Sequence, residues 1–161
     1  KTKSMNSNVI FSKSDILIHW QGHRNLTRKT IAKFPESELF TFSIGGMRTF
    51  ADLVKELLSI GEPGLRSIVS QVPATYNHDL PLHSKAALLD AWDADTAAID
   101  DLYAQLDEAL FQESFNLFGE YNFPIKDNIL YFIDNEVHHR AQGFVYLRAL
   151  GIEPPFFWDR N

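Results

Sequence analysis

The chain has no cysteine. Disulfides, thiolate zinc sites and a cysteine nucleophile are therefore excluded, and any bound metal must be held by histidine, carboxylate, amide oxygen or water. No apolar run approaches the roughly 20 residues that cross a bilayer. No glycine-rich phosphate loop occurs, and the serines stand in no nucleophile-elbow context. A basic surplus is missing as well: 15 Lys and Arg stand against 21 Asp and Glu, for a formal net charge of -6. Nucleic acid is not an expected partner, because neutralising phosphates needs a concentrated cationic surface. The stretch from Lys1 to Asn8 is polar and basic, without the apolar core of a secretory signal. The expectation is a soluble, cytoplasmic protein with no membrane partner.

What is present is a chain of 161 residues, 45% hydrophobic, enough to bury one core without covalent staples. We expect a flexible N-terminal segment over 1–12 and a single domain over 13–161. Apolar residues recur at helical spacing in four long segments. The first runs from an N-cap near Ser14 to Phe34, where Pro35 stops it; its stripe includes Ile16, Trp20, His23, Thr27, Ile31 and Phe34. A connector ending in Gly45-Gly46 leads to a second segment carrying Phe50, Leu53, Val54, Leu57 and Ile60. Gly61-Glu62-Pro63-Gly64 should bend or break it. Val72–Leu82 reads as a loop, and the third helix spans about Ser84 to Leu106. The stretch 109–123 is a crossover or a short helix, and Pro124 suits the first position of the fourth helix. No repeat or alternating strand pattern is apparent. The fold class is all-α, a four-helix bundle with a long crossover connection.

The fourth segment holds the most informative run, Asn135-Glu136-Val137-His138-His139-Arg140-Ala141-Gln142. At about 100° per residue, Glu136 and His139 share a face with Ile129, Phe132, Ile133, Gly143, Leu147 and Leu150, and Asn135 lies at its edge. Ionisable groups on a core face cost several kcal/mol unless paired, so the identity of the partner is the functional question. For Glu136 the expected partner is Arg48, Arg140 or Arg148. Ligand-compatible i, i+4 spacing occurs at His19/His23 and at Asn135/His139. Glu56, three residues after Leu53 and four before Ile60, sits at the rim of the second helix's apolar face, where its carboxylate can turn inward or stay solvated.

These residues resemble the DinB-like (DinB/YfiT-type) family of helical-bundle proteins. Its last long helix typically reads Asn-His-Glu-x-His-His-Arg-Gly-Gln, followed by Tyr-Leu-Arg-x-x-Gly-x-x-Pro-Pro. Asp134 to Gln142 and then Tyr146 to Pro155 are similar at most positions, and Gly46-Met47-Arg48-Thr49-Phe50-Ala51-Asp52-Leu53 resembles the family's second helix. The resemblance implies DinB/YfiT-like topology, frequent homodimers and a divalent metal held by three histidines. Aligned by motif, those positions are Glu56, Asn135 and His139, so two of the three usual histidines are replaced. An O,O,N set is harder than three imidazoles and favours a harder ion.

The expected function is that of a DinB-like, metal-dependent enzyme of thiol S-transferase or hydrolase type with the altered ligand set Glu56/Asn135/His139. Its cofactor would be a divalent Ni, Zn, Mn or Fe ion, bound weakly or lost, and its substrate a small molecule or thiol. The competing expectation is a non-catalytic, stress-associated small-molecule-binding or dimeric structural protein with a degenerate metal site. In that case Glu56 and His139 hydrogen-bond directly, and Trp158 and nearby rings pack on the bundle or on a second subunit.

Overall fold

Residues 10–161 are described by a computed structural model. The expected flexible segment over 1–12 therefore falls mostly outside the described residues. Among them, five α-helices, one 3-10 turn and one two-stranded hairpin form the fold. Helix α1 (Lys13–Lys33) starts two residues earlier than the sequence suggests, because Ser12 and Asp15 close a reciprocal capping box. Pro35 ends that run, as expected, and then caps a short α2 (Glu36–Thr41) inside the connector.

Helix α3 (Phe50–Ser70) runs unbroken through Gly61-Glu62-Pro63-Gly64. The expected break is absent because packing outweighs the missing amide of Pro63. Phe132 lies so close to Gly64 that a Cβ there would stand 2.6 Å from its ring. Gly64 is thus a site of close approach rather than a hinge. After a loop containing Tyr76 and His78, α4 (Lys85–Gln105) follows, capped by Ser84.

The aromatic stretch after α4 holds a structure the sequence reading missed. A 3-10 turn (Glu108–Gln112) leads into strands β1 (Ser114–Leu117) and β2 (Tyr121–Pro124), paired antiparallel with Phe115 opposite Phe123. Phe115 and Leu117 point inward and their neighbours point out, the period of two that a half-buried strand requires. Four residues are too few for that period to stand out from its helical surroundings. Pro124 is the N-cap of α5 (Ile125–Ala149), so the helix starts one residue later than expected.

Helix α1 packs on α4 and α5, and α3 packs on the same two helices. The core has two clusters. One centres on Trp20, Ile99, Tyr103 and Phe132, the other on Phe34, Phe50, Trp92 and Tyr146. Along both α1 and α5 a polar layer separates them: His23, Arg24 and Thr27 on one helix, Glu136, His139 and Arg140 on the other. No described helix is long and apolar enough to cross a membrane.

Candidate functional site

The polar layer divides into an interior network and a rim. In the interior, Glu136 is buried and accepts a 2.6 Å hydrogen bond from Thr27 Oγ1. Its carboxylate lies 3.9 Å from Arg24 and 4.0 Å from Arg140. Of the three arginines expected beside it, only Arg140 is there. Arg24 was missed because a charged residue on the α1 stripe looks like an exposed interruption. It is buried, stacks 3.5 Å above Trp92 and reaches Asp95 at 2.7 Å. Burial raises the Glu136 carboxyl above its ordinary range against the pull of Arg24. Burial also pushes Asp95 up, to about 7, although Arg24 opposes it. Arg24 divides its charge between two carboxylates, so neither is fully compensated.

At the rim, α3 and α5 bring Glu56 and His139 together. Glu56 Oε1 lies 3.1 Å from His139 Nε2, and the other oxygen is paired with Arg48. The His139 hydrogen bond, more than Arg48, holds the Glu56 carboxyl down to about 2 in spite of partial burial. His139 Nδ1 lies 2.9 Å from Gln142 Oε1, one turn along the helix. Asn135 stands at the edge of the buried face, as its helical position requires. Its Nδ2 is buried with no hydrogen-bond partner.

Glu56 opens into a small cavity of about 90 Å³ lined also by Tyr76, His78, Tyr121 and Tyr131. His78 Nδ1 is held 3.0 Å from Ser59 Oγ, which fixes that ring beside the cavity. Burial raises the Tyr131 hydroxyl, keeping it a hydrogen-bond donor. None of these four was foreseen, since two lie in a loop and one in the unrecognised hairpin. Tyr131, four residues before Asn135 on α5, is the one that helical spacing could have offered.

Three observations bear on whether Glu56, Asn135 and His139 suit a divalent ion. Two donors 3.1 Å apart match adjacent ligands each about 2.1 Å from one ion. The Gln142 carbonyl on Nδ1 is the kind of outer contact that fixes a ligating imidazole, and an ion on Nε2 would replace its hydrogen bond to Glu56. The unpartnered end of the Asn135 amide, whose oxygen and nitrogen exchange by a half-turn, is a buried polar group in want of a partner. The set is compatible with an ion but lean. Among the described residues no three His, Cys, Asp or Glu side chains cluster to hold an ion.

His19 and His23 are not part of this rim. They touch each other on α1, with Nε2 atoms 3.2 Å apart, and connect to Arg140 and Arg160.

Two solved structures share the fold. A DinB-like protein from Bacillus cereus ATCC 10987 superposes with a TM-score of 0.72 at 17% identity, over 89% of this chain and 95% of that one. A DinB-like protein from Bacillus subtilis gives 0.70 at 20% identity, over 88% and 96%. No curated protein matches the chain. The sequence pattern of the DinB family, by contrast, matches residues 5–159, nearly the whole length. With a match that spans nearly its whole length, the chain belongs to the DinB family.

Proposed function

We propose that the protein is a metal-dependent enzyme of transferase or hydrolase type, a four-helix bundle with a long crossover whose centre is Glu56, Asn135 and His139. The observation that carries this reading is the convergence of Glu56 and His139 from two helices, with Glu56 also lining a tyrosine-rich cavity. A bound divalent ion would supply Lewis acidity, lowering the pKa of a coordinated thiol or water. The chain's own residues do the rest. Gln142 orients the His139 ring, and Arg48 offsets the charge of Glu56. The hydroxyls of Tyr76, Tyr121 and Tyr131 offer donors to a polar small substrate, a thiol included. A cavity of this size admits only the reacting end of such a molecule.

Elemental analysis of untagged protein and of His139→Ala tests the proposal. Near-stoichiometric metal that is lost in the variant supports it. Protein that stays metal-free after soaking with manganese, nickel and zinc overturns it. The Arg48–Glu56 ion pair favours a second reading for that outcome, in which Glu56 and His139 form a metal-free acid-base or binding pair.

We also infer a homodimer that forms in a cytoplasmic setting. The rings of Phe156, Phe157 and Trp158 are each at least 60% exposed, although polar contacts from Asn25 and Lys29 tie the backbone beyond them to α1. Adjacent exposed aromatics are a common anchor for a partner surface. Light scattering should give twice the chain mass for the native protein and a smaller mass for Phe157→Ser/Trp158→Ser. A monomeric native protein would exclude the dimer.

A further inference from the structure

Outside the rim, an open groove of about 950 Å³ runs along α1, lined also by residues of α5 and by Arg160. Its walls include Ile16, Leu17, Ile18, Leu130 and Ile133, and Ile18 is 70% exposed. The polar end is a chain of side chains whose hydrogen bonds can be assigned. An arginine only donates, so Arg140, 2.9 Å from His23 Nδ1, makes that nitrogen an acceptor. Burial and Arg140 hold His23 in its neutral form, so its proton sits on Nε2. It then donates to His19 Nε2 at 3.2 Å. Neutral His19 must therefore carry its proton on Nδ1.

That Nδ1–H faces Arg160 Nη1 at 3.3 Å, a donor against a donor. Arg160 has a further unmet donor, since its Nε is buried with no partner. No carboxylate lies within 4.0 Å of its guanidinium among the described residues. Cation-π contact with Trp158, 4.0 Å away, positions the guanidinium but satisfies none of these hydrogens. Two elements thus aim donors at one place that lacks an acceptor.

We propose that this groove binds an aliphatic carboxylate, its head group on His19 Nδ1 and Arg160 and its alkyl chain along Ile18 and Leu130. An anionic oxygen between the two donors removes the conflict and gives charge-assisted hydrogen bonds. A monoanion fits better than phosphate, because one guanidinium provides the only full charge and Asp15 and Asp100 also line the groove. The apolar wall accounts for the rest of the ligand, since small-molecule sites are mostly apolar with a few convergent polar groups. This site is independent of Glu56 and His139 and stands whether or not a metal binds there.

Calorimetric titration of the full chain with octanoate tests it, with octanol, acetate and inorganic phosphate as separate arms. The expected result is one octanoate per chain, with octanol about tenfold weaker and neither acetate nor phosphate competing. Arg160→Gln should weaken octanoate by about tenfold while leaving octanol unchanged. Ile18→Asp, at an exposed position that the fold does not depend on, should abolish the tail contribution. In NMR spectra the His19 ring nitrogens should shift with octanoate and not with octanol. Equal affinity for octanol and octanoate, or unchanged octanoate affinity in Arg160→Gln, would overturn the assignment. So would phosphate binding as tightly as octanoate, which would make the groove end a free-anion site. Failure of octanoate to bind a dimer that covers Ile18 and Leu130 would overturn it in favour of a self-association face.

Discussion

Glu56 answers to two partners, and that decides what its removal does. His139 Nε2 and the Arg48 guanidinium both lean on one carboxylate that is only 14% exposed. Glu56→Ala orphans His139, which is nearly buried, and should cost about 1–3 kcal/mol. Glu56→Gln keeps one acceptor and should cost less. If the pair serves only as structure, Glu56→Leu/His139→Leu should recover much of the loss, because no half-buried polar group is then left unpaired. Urea unfolding of the native protein, Glu56→Leu, His139→Leu and the double variant measures the cycle, and additive losses would show that the two side chains do not interact. In a metal centre, by contrast, His139→Ala removes the ion while the fold persists.

At the scale of elements, α3 shows how close approach limits the sequence. Alanine is a better helix former than glycine by about 1 kcal/mol, so Gly64→Ala would stabilise an isolated helix. Here the added Cβ meets Phe132, which is buried and stacked on Trp20 at 5.8 Å between ring centres. The ring cannot swing away without moving the core, and overpacking of this kind costs about 1–3 kcal/mol. Gly64→Ala should therefore be destabilising, and Phe132→Leu in that background should restore part of the loss. Denaturant midpoints for the two single variants and the double variant would settle the sign. A more stable Gly64→Ala protein would mean that Phe132 has room to move.

The same helices show which parts of the structure the sequence discloses. Phe50, Leu53, Val54, Leu57 and Ile60 of α3 are all buried, as are Glu136 and His139 among the apolar residues of α5, because a sustained 3.6-residue period leaves little ambiguity. His139 and Glu56 were legible as candidates because each sits at a fixed angle from an apolar stripe. Four things were not. Ser12, rather than Ser14, caps α1 because the reciprocal bond to Asp15 selects it. The hairpin was hidden because its strands of four residues are shorter than the window in which alternation becomes visible. Tyr76 and His78 reach the cavity from a loop, and loop geometry has no period to read. Arg24 failed for another reason: its burial depends on Asp95, Trp92 and Glu136, all distant in sequence.

For the molecule as a whole, the buried polar layer makes stability depend on pH in two opposed ways. His23, held neutral first by burial and then by Arg140, Arg160 and His19, has its pKa lowered from 6.5 to about 3. Between those values the unfolded chain binds the proton and the folded chain does not, so this group's contribution grows as pH rises from about 3 to 6.5. Asp95 behaves in the reverse sense. Burial raises it from 3.8 to about 7, so the folded chain keeps a proton that the unfolded chain has released. Its contribution is complete below 3.8 and is lost as pH climbs through about 7. Glu136, raised by the same cause, works in the same direction as Asp95.

The windows overlap, and the native protein should show only a shallow pH dependence between them. Asp95→Asn removes one of the descending contributions while leaving His23 intact. The variant's stability should climb more steeply from acid towards neutral pH than that of the native chain. Thermal midpoints taken across about pH 4 to 8 read that difference in slope directly. Parallel profiles for the two proteins would mean that Arg24 holds Asp95 ionised throughout, and that burial does not win at that carboxylate.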